Sequence, residues 1–300
     1  MSVEDVHGIV LLDKPLGLSS AAAVARVKRL FRARKAGHTG SLDPLASGML
    51  PICLGEATKF GAQMLEADKT YRLIVRLGER TPSADLESEV VERRALPPWP
   101  SAHLERALEE FPRDYQQVPP MHSAIKQDGR PLYQYARAGL LRERASRSIV
   151  IHDLRLIGWR APDLELDVRC TKGAYMRVLA EDLARRLDTV GHLVGLRRLG
   201  VAPFAAAAQW TLETLERLCD AERAQLLLPV DAALTGWRRL DLPPDRVEAL
   251  RQGQSVEVPV ECPGTVRIYA PGLGFLGLGA VRPPGRLVPL RLISAATNRA

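Results

Sequence analysis

The sequence predicts an α+β protein in two units, and three observations carry that expectation. Tyr71, Leu73, Val75 and Leu77 alternate with Arg72, Ile74 and Arg76, and Leu164, Leu166, Val168 and Cys170 alternate with Glu165, Asp167 and Arg169. A period of two puts each apolar set on one face of a strand. After Gly173, Tyr175, Leu179, Leu183 and Leu187 recur every fourth residue, which stacks them along one side of a helix. Beyond about residue 236, short β-like runs at 265–269, 275–281 and 287–292 are separated by Gly and Pro, the pattern of a small β barrel. The expected units are residues 1–236 and 237–300.

The 300 residues are enough for two domains without oligomerisation, and a monomer is expected. Hydrophobic content of 46% and charged content of 26% fit a globular chain. Glu4 and Asp5 stand where a signal peptide would be basic, and the apolar run 9–12 is too short for one. No apolar stretch approaches the roughly 20 residues of a membrane helix. The four cysteines, Cys53, Cys170, Cys219 and Cys262, form no Cys-x-x-Cys pair, which argues against a zinc site or disulfide framework and fits a reducing cytoplasm. A net charge of +7 favours an anionic partner, with nucleic acid first.

Taken in order, residues 6–12 read as a buried strand. Ser19 or Ser20 caps a helix carrying Val24, Val27, Leu30 and Phe31 at helical spacing. Its other face is one-signed: Arg26, Lys28, Arg29, Arg32, Arg34 and Lys35 occur within residues 26–35 without an acid, which suits a phosphate-facing surface. Further helices are expected at 101–110 and 211–219. Residues 116–150 are irregular and polar, with Pro119-Pro120, Asp128-Gly129 and the basic side chains of Arg137, Arg142, Arg144 and Arg147. Long irregular segments are functional or mobile. Residues 238–300 hold nine Arg against five acids. Apart from Ala205 to Ala208 there is no low-complexity tract, and there is no internal repeat.

Familiar cofactor motifs fail on context. Gly272-Leu273-Gly274-Phe275-Leu276-Gly277 fits G-x-G-x-x-G, but a strand-like run and Pro283-Pro284 follow instead of a helix. The glycines near Asp43 lack the Gly-Lys-Ser/Thr of a phosphate-binding loop, and no His-Glu-x-x-His or Gly-x-Ser-x-Gly occurs. No metal or cofactor is expected.

The run Gly37-His38-Thr39-Gly40-Ser41-Leu42-Asp43-Pro44-Leu45-Ala46-Ser47-Gly48 surrounds one carboxylate with turn formers. Gly37, Gly40 and Gly48 permit conformations closed to other residues, and Pro44 pushes Asp43 out of the α region. Asp43 is thereby displayed from a loop of restricted shape, as a nucleophile or base requires. An ordinary Asp-Pro turn is the other reading of these residues alone. With its continuation to Gly55-Glu56-Ala57-Thr58-Lys59, the run resembles motif II of the tRNA pseudouridine synthase B (TruB) family. Other matches follow in family order: Leu11-Leu12-Asp13-Lys14-Pro15, Asp68-Lys69-Thr70-Tyr71-Arg72, Ser123-Ala124-Ile125-Lys126, Lys172-Gly173-Ala174-Tyr175-Met176-Arg177 and Leu196-Arg197-Arg198-Leu199.

The resemblance implies the pseudouridine synthase fold, with a central mixed, largely antiparallel sheet, followed by a PUA-like RNA-binding barrel. Leu250-Arg251-Gln252-Gly253-Gln254 looks like part of that module. It implies isomerisation of uridine 55 in the T loop of tRNA, with Asp43 attacking the uridine and Tyr71 stacking on the base and taking a ribose proton. Arg177 would pair with Asp43. A helix beginning near Ala174 would put this cation in its first turn, where the dipole disfavours it unless an anion offsets the cost. His38 would enter the T loop, Leu196 would pack against uracil, and residues 116–150 would form a thumb loop covering RNA. Tyr175, Lys14, Lys59 and Asp85 complete the expected substrate contacts, with Ser88 standing where the family has Gly. A non-catalytic RNA-binding or tRNA-folding protein on this fold is the alternative, and a carboxylate-dependent hydrolase would need a second acid or a metal.

Overall fold

The computed structural model describes residues 5–294 other than 124, 205–206 and 260–262. Of the residues named or counted above, Glu4, Ala124, Ala205, Ala206, Glu261, Cys262 and Arg299 lie outside the described residues, as does the Arg137 side chain. In chain order, β1 (Gly8–Lys14), α1 (Ser20–Leu30), β2 (Ala36–His38) and β3 (Ala46–Leu54) lead through a 3-10 turn and α2 (Gly61–Leu65) to β4 (Lys69–Leu77). A hairpin of β5 (Glu79–Arg80) and β6 (Glu92–Arg93) precedes α3 (Ser101–Glu109) and β7 (Asp114–Gln117). Then come β8 (Lys126–Gln127), β9 (Arg130–Pro131), α4 (Leu132–Arg137), β10 (Arg147–Arg160) and β11 (Asp163–Cys170). Next follow α5 (Met176–Arg186), β12 (Gly191–Val201), β13 (Trp210–Thr211), α6 (Leu212–Arg217) and α7 (Asp220–Gln225). The last elements are β14 (Arg238–Asp241), α8 (Pro244–Arg251), β15 (Val256–Glu257), β16 (Gly264–Ala270), β17 (Gly274–Arg282) and β18 (Arg286–Leu292).

Nine strands form the central sheet in the order β13-β1-β3-β12-β4-β11-β10-β7, with β2 also pairing to β3. β1–β13 and β3–β12 are parallel, and the other pairs are antiparallel. The sheet is therefore mixed and largely antiparallel, as expected. On β4 the alternation works as read: Tyr71, Leu73, Val75 and Leu77 are buried and Ile74 is exposed. They join Leu164, Leu166 and Val168 of β11 beneath Leu179, Ala180, Leu183 and Ala184 of α5. Each fully buried Leu contributes roughly 1.5–3 kcal/mol, so this helix is held by its apolar stripe. A second core packs Ala23, Val27 and Phe31 of the α1 region onto Val10, Leu12, Leu50 and Ile52. Ser19 is the N-cap of α1, accepting from the Ala22 amide at 3.2 Å.

The C-terminal strands form a separate five-stranded sheet, ordered β14-β16-β17-β18-β15, that curls into a half-barrel around Val266, Ile268, Leu287, Val247 and Leu250. The former G-x-G-x-x-G run is a turn entering β17, with Gly272 and Gly274 at φ of 73° and 67°. The half-barrel meets the rest of the chain through an edge-on contact of Phe60 and Phe275, 5.5 Å between centroids, packed with Leu234, Leu278 and Ile293.

Four local expectations change. The helix expected over 211–219 ends at Arg217, because Leu218 is extended (ψ 147°), and α7 starts afresh behind Cys219. The irregular stretch 116–150 contains a hairpin and α4. β10 went unread because two register shifts break its alternation. The basic face of α1 is partly neutralised by distant acids: Arg26 pairs with Glu216 at 2.7 Å and Arg32 with Asp220 at 3.0 Å. Lys28, Arg29, Arg34 and Lys35 stay exposed.

One glycine fixes how closely β3 approaches β12. Gly48 has φ +101°, and a Cβ there would sit 2.2 Å from the Arg198 carbonyl oxygen and 2.8 Å from its amide nitrogen. Gly129 also has positive φ (76°) but open space around it. Gly48→Ala should therefore lower unfolding free energy by at least about 2 kcal/mol, against about 1 kcal/mol for Gly129→Ala. Denaturant melts of the two variants check the difference, and equal losses would refute it.

Candidate active site

Three adjacent strands of the central sheet, β3, β12 and β4, meet the N-terminus of α5 at a cleft of about 290 Å³. The Asp43 loop lies between β2 and β3 and is pinned from several directions. The Ser20 hydroxyl donates to the Leu42 carbonyl at 2.9 Å and accepts from the Leu42 amide at 2.8 Å. The Gly17 amide donates to the Pro44 carbonyl at 2.8 Å, and the Ala46 amide to the Asp43 carbonyl at 3.0 Å. Gly40 and Gly48 adopt positive φ, 115° and 101°, as the turn-rich sequence suggested. Gly37 does not; it lies extended in β2 opposite Cys53.

Arg177 holds the carboxylate. It sits in the first turn of α5 with its side chain 7% exposed, and its Nη2 lies 3.1 Å from Asp43 Oδ2. Nη1 lies 3.2 Å from Oδ2 of Asp85, itself buried, and Nη2 donates to the His122 carbonyl at 2.7 Å. One guanidinium thus joins two carboxylates and the start of the thumb segment. Pairing of this kind is what a cation at the positive end of a helix requires. Asp43 Oδ1 makes no hydrogen bond among the described residues, and the Asp43 side chain is 52% exposed. One oxygen is oriented and the other is open to the cleft, the arrangement a carboxylate nucleophile needs.

Tyr71 rises from β4 beside this carboxylate, and burial pushes its phenol above the usual range while the Arg198 charge pulls it back. Tyr175 caps α5; its amide donates to Gln117 Oε1 at 2.7 Å, and burial raises its phenol too. Leu196 on β12 completes the apolar lining. Asp43, Tyr71, Tyr175, Arg177 and Leu196 are therefore brought together. Asp85 joins from the loop after β5, where Ser88 Oγ accepts from the Ser83 amide at 2.9 Å.

The remaining expected residues do not line this cleft, although Lys14 lies near enough to feel the charges of Asp43 and Arg198. His38 ends β2 opposite Ile52; its buried Nδ1 has no hydrogen-bond partner among the described residues, and burial first, then the Arg198 charge, lowers its pKa. Lys14 is fully buried, donating to the Leu18 carbonyl at 2.7 Å and the Pro15 carbonyl at 2.9 Å. Lys59 pairs with Glu56 at 2.6 Å and donates to the Leu292 carbonyl at 3.0 Å, which places it at the joint with the half-barrel instead of the cleft. Its position just past an apolar strand gave no hint of that distant partner.

Two residues of the cleft were missed as site residues. Arg198 is 1% exposed and donates from Nε to the Met49 carbonyl at 2.7 Å and from Nη2 to the Gly40 carbonyl at 3.0 Å. Lys69 is buried too, donating to the carbonyls of Leu65 at 2.8 Å and Ala67 at 2.6 Å. The signal was available: period two puts Lys69 on the face of Tyr71, and Arg198 on the face of Leu196. Arg197 points the other way and pairs bidentately with Asp13 at 2.7 and 3.0 Å. Among the described residues no cluster of His, Cys, Asp and Glu could hold a metal ion, and no helix is long and apolar enough to cross a membrane.

Comparison with known proteins places this geometry in a family. The model of the TruB family pseudouridylate synthase N-terminal domain matches residues 28–176, and models of the family's C-terminal regions match 177–235 and 239–293. The tRNA pseudouridine synthase B of Sodalis glossinidius (strain morsitans) is 48% identical over 299 residues, covering 97% of this chain and 96% of that protein. The chain belongs to the TruB family of pseudouridylate synthases. A second relative of the same name, from Nitrosococcus oceani, is 46% identical over 294 residues and covers 97% of this chain and 96% of its own. Among solved structures, one in a Cbf5-Nop10-Gar1 complex aligns with a TM-score of 0.71 at 21% identity, over 95% of this chain and 83% of that one. At that identity the likeness is one of fold. Five of the six TruB-family matches quoted from the sequence contribute residues to the walls of one cleft; the Leu11–Pro15 match and the Lys59 end of motif II do not.

The buried lysines give the TruB-family cleft a pH signature. Burial lowers Lys14 and Lys69 from 10.5 to about 8 each, with the Asp43 charge opposing it at Lys14 and the Arg198 charge adding to it at both. Between about pH 8 and 10.5 the unfolded chain therefore binds more protons than the folded one, and raising pH favours folding through these two groups. The stability difference between wild type and Lys14→Met should move in favour of wild type as pH rises from about 7.5 to 9.5. Paired denaturant titrations measure it; a pH-independent difference would remove Lys14 from this account.

Proposed function

We propose that this chain converts uridine 55 in the T loop of tRNA to pseudouridine. The reading is carried by one observation: a half-exposed carboxylate with one oxygen held by a buried arginine faces an aromatic ring and a leucine across a single cleft. The reaction breaks the N1–C1′ glycosidic bond, turns the uracil and joins C5 to C1′. The C5 proton is lost and N1 gains one, so the formula is unchanged and no redox partner or nucleotide energy is needed. Asp43 is the nucleophile that splits this rearrangement into easier steps. Tyr71 stacks on the flipped base and, once ionised, accepts the ribose proton as a phenolate, and Leu196 packs on the uracil face. Stacking is worth roughly 1–3 kcal/mol per base, enough to offset much of the few kcal/mol needed to extrude it. We assign His38, at the end of the strand before the Asp43 loop, to the T-loop contact that the family resemblance implies.

Residues 237–300 we assign as the RNA-binding module that follows residues 1–236. Arg282 and Arg286 are exposed and stand directly opposite each other across β17 and β18. Like charges so paired destabilise a sheet, and RNA phosphates would relieve them. With Lys28, Arg29, Arg34 and Lys35 they supply phosphate contacts on two surfaces.

Carbodiimide labelling of pseudouridine in tRNA incubated with the purified protein tests the activity. Asp43→Asn should retain fold and tRNA binding and lose isomerisation; turnover above about a hundredth of wild type contradicts the nucleophile role, since loss of a covalent catalyst costs far more. Log affinity for tRNA should fall against log salt by roughly 0.7 to 0.9 per phosphate neutralised. A flat salt response would exclude the basic surfaces from binding.

A further inference from the structure

Arg198 occupies a position that the pairing of Asp43 with Arg177 does not account for. It lies on β12, opposite Gly48 of β3 on one side and Tyr71 of β4 on the other. Its side chain lines the cleft floor at 1% exposure. Its three nitrogens fan out to three carbonyls: Nε to Met49 at 2.7 Å, Nη2 to Gly40 at 3.0 Å and Nη1 to Ser41 at 3.4 Å. Gly40 and Ser41 immediately precede Leu42 and Asp43, so the guanidinium grips the loop upstream of the nucleophile. Met49 lies downstream in β3. The planar fork sends three nitrogens to separate acceptors in fixed directions, which the single nitrogen of an ammonium cannot do.

The charge itself is the second observation. Four groups around the cleft feel it: Tyr71, Lys14, Lys69 and His38. Three of those effects penalise a cationic neighbour, at the two lysines and His38, so Arg198 is a costly way to satisfy three carbonyls. A neutral donor would do so without repelling two buried lysines. The favourable effect falls on Tyr71, whose other charged or titratable neighbours are Cys170 of β11 and Asp43, both of which oppose its ionisation.

We propose that Arg198 is a positioning residue for the reaction: its buried guanidinium fixes the Asp43 loop through backbone carbonyls and sets a permanent positive charge beside Tyr71. The inference rests on the pseudouridine synthase reading above. In that reading Tyr71 must already be a phenolate, its own proton lost to solvent, before it can take the ribose proton, and a phenolate held in a buried site needs a cation beside it. One side chain therefore sets both the direction of the nucleophile and the basicity of the aromatic residue.

The test uses the full-length protein with Arg198→Met and Arg198→Lys, folding being checked by circular dichroism. Single-turnover isomerisation at saturating tRNA should fall about a hundredfold in Arg198→Met, the loss expected from a catalytic group misplaced by about an ångström, while tRNA Kd stays unchanged. The specific readout is the ionisation of 3,5-difluorotyrosine installed at position 71, followed by fluorine NMR. Its titration midpoint should rise in Arg198→Met and stay close to wild type in Arg198→Lys, which keeps the charge but not the fork. Arg198→Lys should recover part of the rate. An unchanged midpoint in Arg198→Met, or a rate loss matched by weakened tRNA binding, overturns the proposal. Should Arg198→Met fail to fold, Arg198→Lys decides: reduced rate at unchanged Kd and midpoint supports the proposal. A wild-type rate in Arg198→Lys, or failure of both variants to fold, overturns it. A wild-type protein that leaves uridine untouched overturns the pseudouridine synthase reading instead, and that outcome is seen before any variant is made.

Discussion

Four buried cations share one cleft region with two carboxylates, and the architecture around them answers that imbalance. Lys14, Lys69, Arg177 and Arg198 are each at most 6% exposed, against Asp43 and Asp85. Isolated buried charge is too costly to keep without partners. Arg177 takes both carboxylates, and the others are satisfied by backbone carbonyls: two for Lys14, three for Arg198, and the end of α2 for Lys69. Most of these carbonyls lie where the chain turns or a helix ends, and the Met49 carbonyl is supplied by β3. The cleft consequently keeps an excess of positive charge with its hydrogen bonds filled. That state favours a polyanion arriving from solvent.

Backbone contacts set the geometry more tightly than side chains do. β3 and β12 run parallel at positions 46–48 and 196–198, and Gly48 has no Cβ because the Arg198 backbone occupies that space. This close approach brings the carbonyls of Gly40 and Met49 within reach of the Arg198 guanidinium. A side chain at position 48 would push β12 away and carry Leu196 and Arg198 with it. The positive φ at Gly48 is thus a requirement of the site as much as of the turn.

Much of this was legible in the sequence where one element carries its own signal. The alternation on β4 and β11, the Ser19 cap of α1, the stripe on α5 and the three strands of the half-barrel all formed within a residue or two of expectation. The first-turn position of Arg177 followed from Gly173 and the onset of the stripe, and its anionic partner is present. What escaped depended on partners far along the chain. Glu216 and Asp220 neutralise two arginines about 190 residues away, and Leu292 claims Lys59 from 233 residues on. Local windows contain none of those residues. β10 escaped for a different reason, since two bulges reset its facing and erase the period that a strand is read by.

The distribution of the site along the chain has a consequence for how it forms. Residues 43, 71, 85, 177 and 198 come from segments that touch only when β3, β12 and β4 are side by side, and β12 is the strand that separates the other two. No local unit contains a working pair: Asp43 and Arg177 are 134 positions apart, and Tyr71 and Arg198 are 127 apart. Such non-local pairings are the slow part of folding, because loop closure must precede any contact that rewards it. The buried cations sharpen the dependence. Until β12 is seated, Lys69 lacks its apolar surroundings and the Asp43 loop lacks the Arg198 fork, so a partly assembled sheet carries solvated charges and a mobile nucleophile. Seating the strand buries the charges, fixes the loop and closes the cleft in one step. Catalytic competence in this chain is therefore a property of the completed central sheet, and the turn-rich motif around Asp43, specific as it is in sequence, becomes a site only when β12 lies against it.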